Sequence, residues 1–138
     1  MEDGDPSQFS ILGMGTPLGH SIQWWSNGGT QAVQAGNVLY VSGSLGLDEK
    51  TMKPVEGGAA AEARQSLKNI HAILKHAGTS FDKIAKTTVL LSDINNAKFV
   101  NEVYQEFVKE PYPARSTYQV AKLPLDALVE IEVIAIVE

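Results

Sequence analysis

Apolar positions along the chain recur with two periods, and each period predicts one type of element. Spacings of three and four residues, typical of a helix with one buried face, fill residues 58–77 and 96–109. Gly78 follows the first helix, and Pro111 and Pro113 end the second. The apolar positions of the two helices are Leu67, Ile70, Ile73, Leu74 and Ala77, and then Val100, Val103, Tyr104, Phe107 and Val108. Two amphipathic helices are therefore predicted.

Shorter apolar runs between turn residues predict strands. Residues 31–43 favour two short strands joined at Ala35-Gly36-Asn37. Three more strands are predicted at 84–91, 114–121 and 128–137. The order ββαβαββ, with no internal repeat and no long linker, predicts an α+β domain with both helices packed on one face of a sheet.

The last predicted strand, LVEIEVIAIV, is apolar on both faces. Side chains alternate along a strand, so Val129, Ile131 and Val133 point one way, and Leu128 and Ile134 point the other. Two helices on one side of the sheet cannot cover both faces. We therefore expect another subunit to cover the second face.

Composition narrows the functional class. The chain has 138 residues, enough for one domain, with a formal net charge of −5 and no cluster of Lys and Arg. A nucleic-acid partner is thus possible but not supported by charge. The chain has no cysteine, no secretory signal in its first ten residues and no apolar run that could span a membrane. A soluble intracellular protein is expected.

Charged residues in the last two predicted strands are the best candidates for chemistry. Glu130 and Glu132 share a strand face with large aliphatic residues, which favours a paired carboxylate or a raised pKa. Arg115, with Thr117 on its own face, lies one strand earlier. If the two strands form a hairpin through 123–127, Arg115 and a glutamate line one cleft that accepts a small carboxylic acid. The alternatives are a solvated arginine, an exposed strand end, or ion pairs with Lys86 or Lys122.

Other chemistry has weaker support. His20, His71 and His76 are scattered, and the last two lie five apart on one helix, so they do not share a metal-binding face. The glycine-rich stretch 13–19 lacks the spacing of a phosphate-binding loop. No metal site is predicted.

Several segments of the chain form an ordered set of motifs. They are YVSG at 40–43, EARQSLKNIHAILKHAG at 62–78, KTTVLLSDINN at 86–96, VNEVYQEF at 100–107, PARS at 113–116, QVAKLP at 119–124 and VEIEVIAI at 129–136. Together they resemble the reactive intermediate/imine deaminase (Rid) family over roughly residues 31–138, and the resemblance is closest to eukaryotic members. The chain is thereby divided into an atypical N-terminal segment, 1–30, and a single Rid-like domain, 31–138.

The resemblance implies a fold, an oligomeric state, an activity and a cellular location. Members adopt a chorismate-mutase-like α+β fold and form homotrimers with three clefts between subunits. They hydrolyse enamines and imines such as 2-aminoacrylate, 2-iminopropanoate and 2-iminobutanoate to 2-keto acids and ammonia, without metal or organic cofactor. A cytoplasmic location is implied, with mitochondrial or nuclear pools as alternatives. Members are also described as endoribonucleases and translation inhibitors, and a non-catalytic, chaperone-like trimer is a third hypothesis.

Residue roles follow from the same resemblance. The substrate-binding arginine falls on Arg115 and the water-positioning glutamate on Glu130. The remaining positions of the family's cleft are Ser42, Gly43, Asn101 and Thr117. Only the resemblance selects Glu130 over Glu132.

One segment departs from the family pattern. Members carry a Gly-Pro-Tyr-Ser-Gln-Ala type segment whose tyrosine closes the cleft. Here residues 17–33 read PLGHSIQWWSNGGTQAV, with about eight extra residues by alignment to that pattern and no tyrosine. We expect an open cleft mouth there, with Trp24 or Trp25 as the alternative lid. The N-terminal strand of the family is not recognisable from sequence.

Overall fold

The computed structural model describes residues 9–12 and 31–138. Trp24, Trp25 and the rest of the expected lid segment lie outside the described residues. The bounds of the described strands and helices are β1 Phe9–Leu12, β2 Ala32–Ala35, β3 Val38–Leu45, α1 Gly58–His76, β4 Ile84–Leu91, α2 Ala97–Phe107, β5 Ala114–Gln119 and β6 Val129–Ile136. The five strands and two helices predicted after residue 30 are confirmed, with bounds that differ by two residues or fewer.

The first strand, β1, was not recognised in the sequence. Phe9–Leu12 pairs with β2 in antiparallel register, from Phe9 opposite Ala35 to Leu12 opposite Ala32. A four-residue strand in a segment of Gly, Pro and Ser gives no alternating pattern long enough to detect. The strand is stabilised by pairing with the edge of β2, and that pairing partner lies about 20 residues later in the chain, outside the local sequence.

The described strands form one sheet in the order β1-β2-β3-β6-β4-β5. Strand β6 lies between β3 and β4 and is antiparallel to both, whereas β4 and β5 are parallel. The parallel pair is connected through α2, as a β-strand, helix, β-strand unit requires. The last strand of the sequence is therefore a central strand of the sheet.

Both helices pack on one face of the sheet, as predicted. Alternate residues of β6, namely Val129, Ile131 and Val133, are buried beneath them. The apolar stripe of α1 supplies Leu67, Ile70 and Leu74 to the same core. Helix α1 ends where Gly78 takes a left-handed φ of 81° and Thr79 donates its N–H to the Leu74 carbonyl at 2.9 Å.

The opposite face, here called the open face, carries both apolar and polar side chains. Tyr40 and Tyr118 are each half exposed on it, and Ile134 lies between Tyr40 and Lys86 in the register. Near one end, four buried residues form a second, small cluster against Leu90 and Val120: Leu45, Leu47, Leu123 and Ala127. The predicted homotrimer would cover this face, and it stays a prediction.

Candidate active site

Glu130 lies on the open face beside the second apolar cluster. It is opposite Leu45 of β3 and Leu90 of β4 in the strand register. Burial raises the pKa of the Glu130 carboxyl, and the negative charge of Glu132 raises it further. A carboxyl group with such a pKa can exchange a proton with water closer to neutral pH than an ordinary glutamate can.

A bulge in β3 brings Gly43 against this carboxylate. The β3–β6 register shifts between Val41 and Ser44, and Gly43 lies within that shift. A Cβ atom placed on Gly43 would collide with Oε1 of Glu130. With the Glu130 side chain in this position only glycine fits, so Gly43 and Glu130 form one side of a site together.

Ser42 lies at the same bulge and lines a groove of about 240 Å³ on the open face. Its backbone N–H donates to the Gln31 carbonyl at 2.9 Å. The groove also contains Lys86 and Glu132, and Lys86 Nζ donates to Ser116 Oγ at 2.9 Å. Among the described residues no ion pair joins Glu130 to Lys86 or Lys122, the partners considered from sequence, and Lys122 pairs with Asp126 at 3.2 Å.

Arg115 lies on the other side of the sheet. It is adjacent to Thr87 in the parallel β4–β5 register, and Thr87 is fully buried on the helix face. The Arg115 guanidinium carbon lies over the ring of Tyr104, 4.8 Å from its centroid. A pocket of about 380 Å³ is lined by these two residues together with Gln105, Tyr112 and Pro113. No carboxylate of the described residues forms an ion pair with Arg115.

Thr117 and Asn101 belong to the Arg115 side. Thr117 is adjacent to Val89, which faces the helices, so it shares the face of Arg115 as predicted. Its Oγ1 is buried without a hydrogen-bond partner among the described residues. Asn101 is half-buried on α2. It precedes Tyr104 by three residues, so the two side chains lie next to each other on the same face of the helix.

The six candidate residues therefore fall into two groups on opposite faces of the sheet. Glu130, Gly43 and Ser42 form the first group, whereas Arg115, Thr117 and Asn101 form the second. The predicted hairpin between the last two strands is wrong, because β4 lies between β5 and β6. The link after β5 contains a short helical turn at Pro124–Asp126 and crosses β4, which a tight hairpin loop cannot do. One copy of the chain cannot place Arg115 and Glu130 in one cleft.

Two features of the site were missed in the sequence. The strand–helix–strand order from β4 to β5 was a usable signal, because a helix connection favours parallel pairing and excludes a hairpin partner for β5. Tyr104 was interpreted only as part of an apolar helix stripe. Its contact with Arg115 depends on how α2 crosses β5, and no local pattern encodes that crossing.

The described part of the chain contains no cluster of three His, Asp or Glu residues that could hold a metal ion. Within the same residues, no helix has the combined length and apolar character that spanning a bilayer requires.

Comparison with known proteins decides the family. Residues 26–137 match the family model described as Endoribonuclease L-PSP. A solved RidA structure from an Antarctic Psychrobacter is 43% identical, superposes with a TM-score of 0.77, and covers 80% of this chain and 89% of that one. This chain belongs to the Rid family. The resemblance read from the sequence segments is thereby confirmed.

Curated relatives of this Rid protein carry two kinds of name. The Drosophila melanogaster "RutC family protein UK114" is 54% identical over 106 residues, which are 77% of each chain. The human "2-iminobutanoate/2-iminopropanoate deaminase" is 49% identical over 107 residues, which are 78% of each chain. The residues matched by the family model, 26–137, include both groups of candidate residues.

Proposed function

We propose that this Rid protein is a hydrolytic deaminase of small 2-imino and enamine carboxylic acids, with 2-aminoacrylate, 2-iminopropanoate and 2-iminobutanoate as substrates. The imine carbon gains the oxygen of one water molecule, the C–N bond breaks, and a 2-keto acid and ammonia leave. The observation that carries the proposal is the half-buried Glu130 carboxylate against Gly43 in a chain 49% identical to a named deaminase of such imines.

Arg115 binds the substrate carboxylate. A guanidinium grips a carboxylate through two parallel hydrogen bonds, which fixes the plane of the substrate as well as its position. The contact with Tyr104 engages the cation through the ring and supplies no carboxylate, so the charge remains available for a ligand.

Glu130 orients and deprotonates the attacking water. An imine carbon is already electrophilic, so a held water and a base of suitable pKa supply most of what hydrolysis needs. The imine reacts in its protonated form, so attack of the water, whose proton Glu130 takes, gives a neutral carbinolamine. Glu130 then returns that proton to the nitrogen and takes the hydroxyl proton as the C–N bond breaks, so a 2-keto acid forms and ammonia leaves as ammonium with the last proton. The raised pKa makes the carboxylate a stronger base than an ordinary glutamate and keeps more of it protonated at a given pH.

The cleft forms between two copies of the chain, with Arg115 from one and Glu130 from the other. This arrangement follows because the two groups of residues face opposite sides of one sheet. Ser42 and Gly43 accompany Glu130, and Asn101 and Thr117 accompany Arg115. The buried, unpartnered Thr117 Oγ1 is supplied with a partner when the second copy and the ligand are present.

The primary experiment measures 2-keto acid release. A pyridoxal-phosphate dehydratase acting on serine or threonine generates the imine in the cuvette, and semicarbazide competes for it. The wild-type chain should divert the imine from semicarbazide to free keto acid, whereas Glu130→Gln and Arg115→Ala should not. Equal trapping with and without the wild-type chain would refute the deaminase proposal.

A mixing experiment tests the shared cleft. Arg115→Ala and Glu130→Gln subunits, each inactive alone, are unfolded together in equal amounts and refolded. If each cleft takes one group from each of two neighbours, about a quarter of randomly assembled clefts contain both native residues. Recovery of about that share of wild-type activity supports the two-copy cleft, and no recovery contradicts it.

A second candidate activity is RNA cleavage, favoured by the description of the matching family model. The chain has 16 acidic and 11 basic residues, which weakens a phosphate-backbone contact. RNA cleavage that survives in Glu130→Gln and Arg115→Ala would place such an activity outside the proposed cleft. Cleavage lost in both variants would assign it to the same residues.

A further inference from the structure

We infer that Tyr104, anchored by Thr87, is the positioning residue that holds Arg115 ready for the substrate carboxylate. The inference rests on the proposed function, because it explains how the carboxylate-binding group of that same cleft is presented. It starts from a contact that sequence analysis did not predict, the 4.8 Å approach of the Arg115 guanidinium carbon to the Tyr104 ring centroid.

The Tyr104 ring is fixed at both ends. Its side chain is buried on α2, with a relative exposure of 4%. Its hydroxyl donates to Thr87 Oγ1 at 3.2 Å, and Thr87 is fully buried on β4. Thr87 is also the register neighbour of Arg115 on β5. The same β4 residue therefore anchors the ring and lies beside the arginine that the ring supports.

This arrangement preorganises an arginine for binding an anionic ligand. A free arginine side chain loses considerable rotamer entropy when it binds, and that loss weakens affinity. A cation over an aromatic face is restrained without a competing carboxylate, which would neutralise it. Among the described residues, Arg115 has this ring contact and no ion pair. Tyr104 thus orders the guanidinium and leaves its hydrogen-bonding capacity for the substrate.

The test compares Tyr104→Leu with Tyr104→Phe. Leucine removes the ring, so we expect KM for the imine substrate to rise roughly 3- to 30-fold, the range that corresponds to loss of a cation–π contact. Phenylalanine retains the ring face and should recover most of that loss. The turnover number should change much less than KM, because Glu130, the proposed base, belongs to the other group of candidate residues, which lies across the sheet from Tyr104. A fall in kcat with unchanged KM would overturn the inference.

The matched control is Phe99→Leu. Phe99 is an exposed ring on the same helix with Lys98 Nζ 5.0 Å from its centroid. This variant removes a ring from beneath a cation without touching Arg115, so KM should stay within about twofold of wild type, well under the effect of a lost contact at Arg115. A rise equal to that of Tyr104→Leu would mean that any ring loss on α2 acts through the fold.

Calorimetry with 2-oxobutanoate separates this inference from the proposed reaction. Tyr104→Leu should weaken binding of this carboxylate by the same factor as it raises KM, and it should cause no further loss in an Arg115→Ala background. If wild type binds the probe but releases no keto acid from imines, the deaminase proposal fails while the positioning role remains measurable. If wild type does not bind it, or if Tyr104→Leu weakens binding equally with and without Arg115, the inference is wrong.

Discussion

The proposed role of Arg115 depends on the planar shape of its guanidinium as well as on its charge. Arg115→Lys keeps a cation but loses the two-pronged contact with a carboxylate. We expect kcat/KM to fall by roughly 10- to 100-fold, the effect of one lost charge-assisted hydrogen bond. Steady-state kinetics on in-situ imine, with circular dichroism as the folding control, checks this. A lysine variant with wild-type efficiency would remove Arg115 from the site.

The pH profile reports the environment of Glu130. The ordinary pKa of a glutamate is 4.5, and burial and Glu132 both raise that of Glu130. Because the proposed reaction uses the carboxylate form of Glu130, the acid limb of kcat/KM should lie above pH 4.5. Glu132→Gln removes the second cause, so the limb should move to lower pH while burial keeps it above the ordinary value. An unmoved limb would mean that Glu132 does not act on Glu130.

Alanine substitutions at two glycines near the site should have different effects, one on activity and the other on stability. In Gly43→Ala the new methyl group strikes the far end of the Glu130 side chain, which can swing away. The fold should survive while kcat falls by roughly 10- to 100-fold through misplacement of the base. In Gly46→Ala the methyl group meets the backbone of Glu62, which cannot move aside.

Gly46→Ala is therefore the matched stability variant. Its free energy of unfolding should fall by about 1–3 kcal/mol, the usual effect of overpacking. Urea titration of both variants, alongside kinetics, separates the two outcomes. Equal loss of stability in both would contradict a specific role of Gly43 at the Glu130 carboxylate.

At the scale of elements, a row of polar residues on α1 holds the end of β3 and the start of β6. Ser66 Oγ donates to the Ser44 carbonyl at 2.7 Å, and Leu128 donates its N–H to Glu62 Oε1 at 2.9 Å. Glu62 is almost fully buried, and desolvation raises its pKa, although the Leu128 hydrogen bond opposes that rise. The helix thus places the strand that carries Glu130.

Glu62 gives stability a defined pH dependence. Its folded pKa is raised, so between the unfolded value near 4.5 and the higher folded value the folded state binds more protons. Stability must then fall as pH rises through this window. In Glu62→Gln, whose amide oxygen still accepts from Leu128, that component of the slope should disappear. Urea midpoints at fixed protein concentration, measured at a pH equal to the ordinary value of 4.5 and at a pH well above it, give the difference. Identical slopes would contradict the assignment.

The sequence predicted elements better than their pairing. Strong periodicity located α1, α2 and β6 almost to the residue, since the spacing of apolar residues is a local property. The partner of β5 and the face of Arg115 depend on contacts between β4 and β5, which are distant in sequence. The hairpin prediction failed for that reason, whereas the α+β class and the single helix layer were confirmed. Arg115 and the pair Glu130 and Glu132 were candidates from the strand pattern, whereas the choice of Glu130 and the remaining positions came from the family resemblance. Their roles stay predictions.

At the scale of the whole molecule, the open face makes the oligomer testable. Tyr40 and Tyr118 are half exposed on it, and Ile134 lies in the groove between strands β3 and β4. We expect a homotrimer at micromolar concentration by sedimentation velocity. Ile134→Glu introduces a charge on this face and should yield monomers without deaminase activity, whereas Phe99→Glu on the helical side should leave the trimer intact. A stable wild-type monomer would refute the shared cleft.

The central position of β6 has a consequence for how the protein is made. Every other described strand precedes β6 in the chain, so β6 leaves the ribosome after them. Until it arrives, β3 and β4 each present an unpaired edge, and the nascent chain exposes the apolar surface that the finished core conceals. Val38 must then find Ile136, nearly the whole length of the described domain away. The proposed base Glu130 lies on this same strand, so the proposed cleft cannot assemble before β6 is in place.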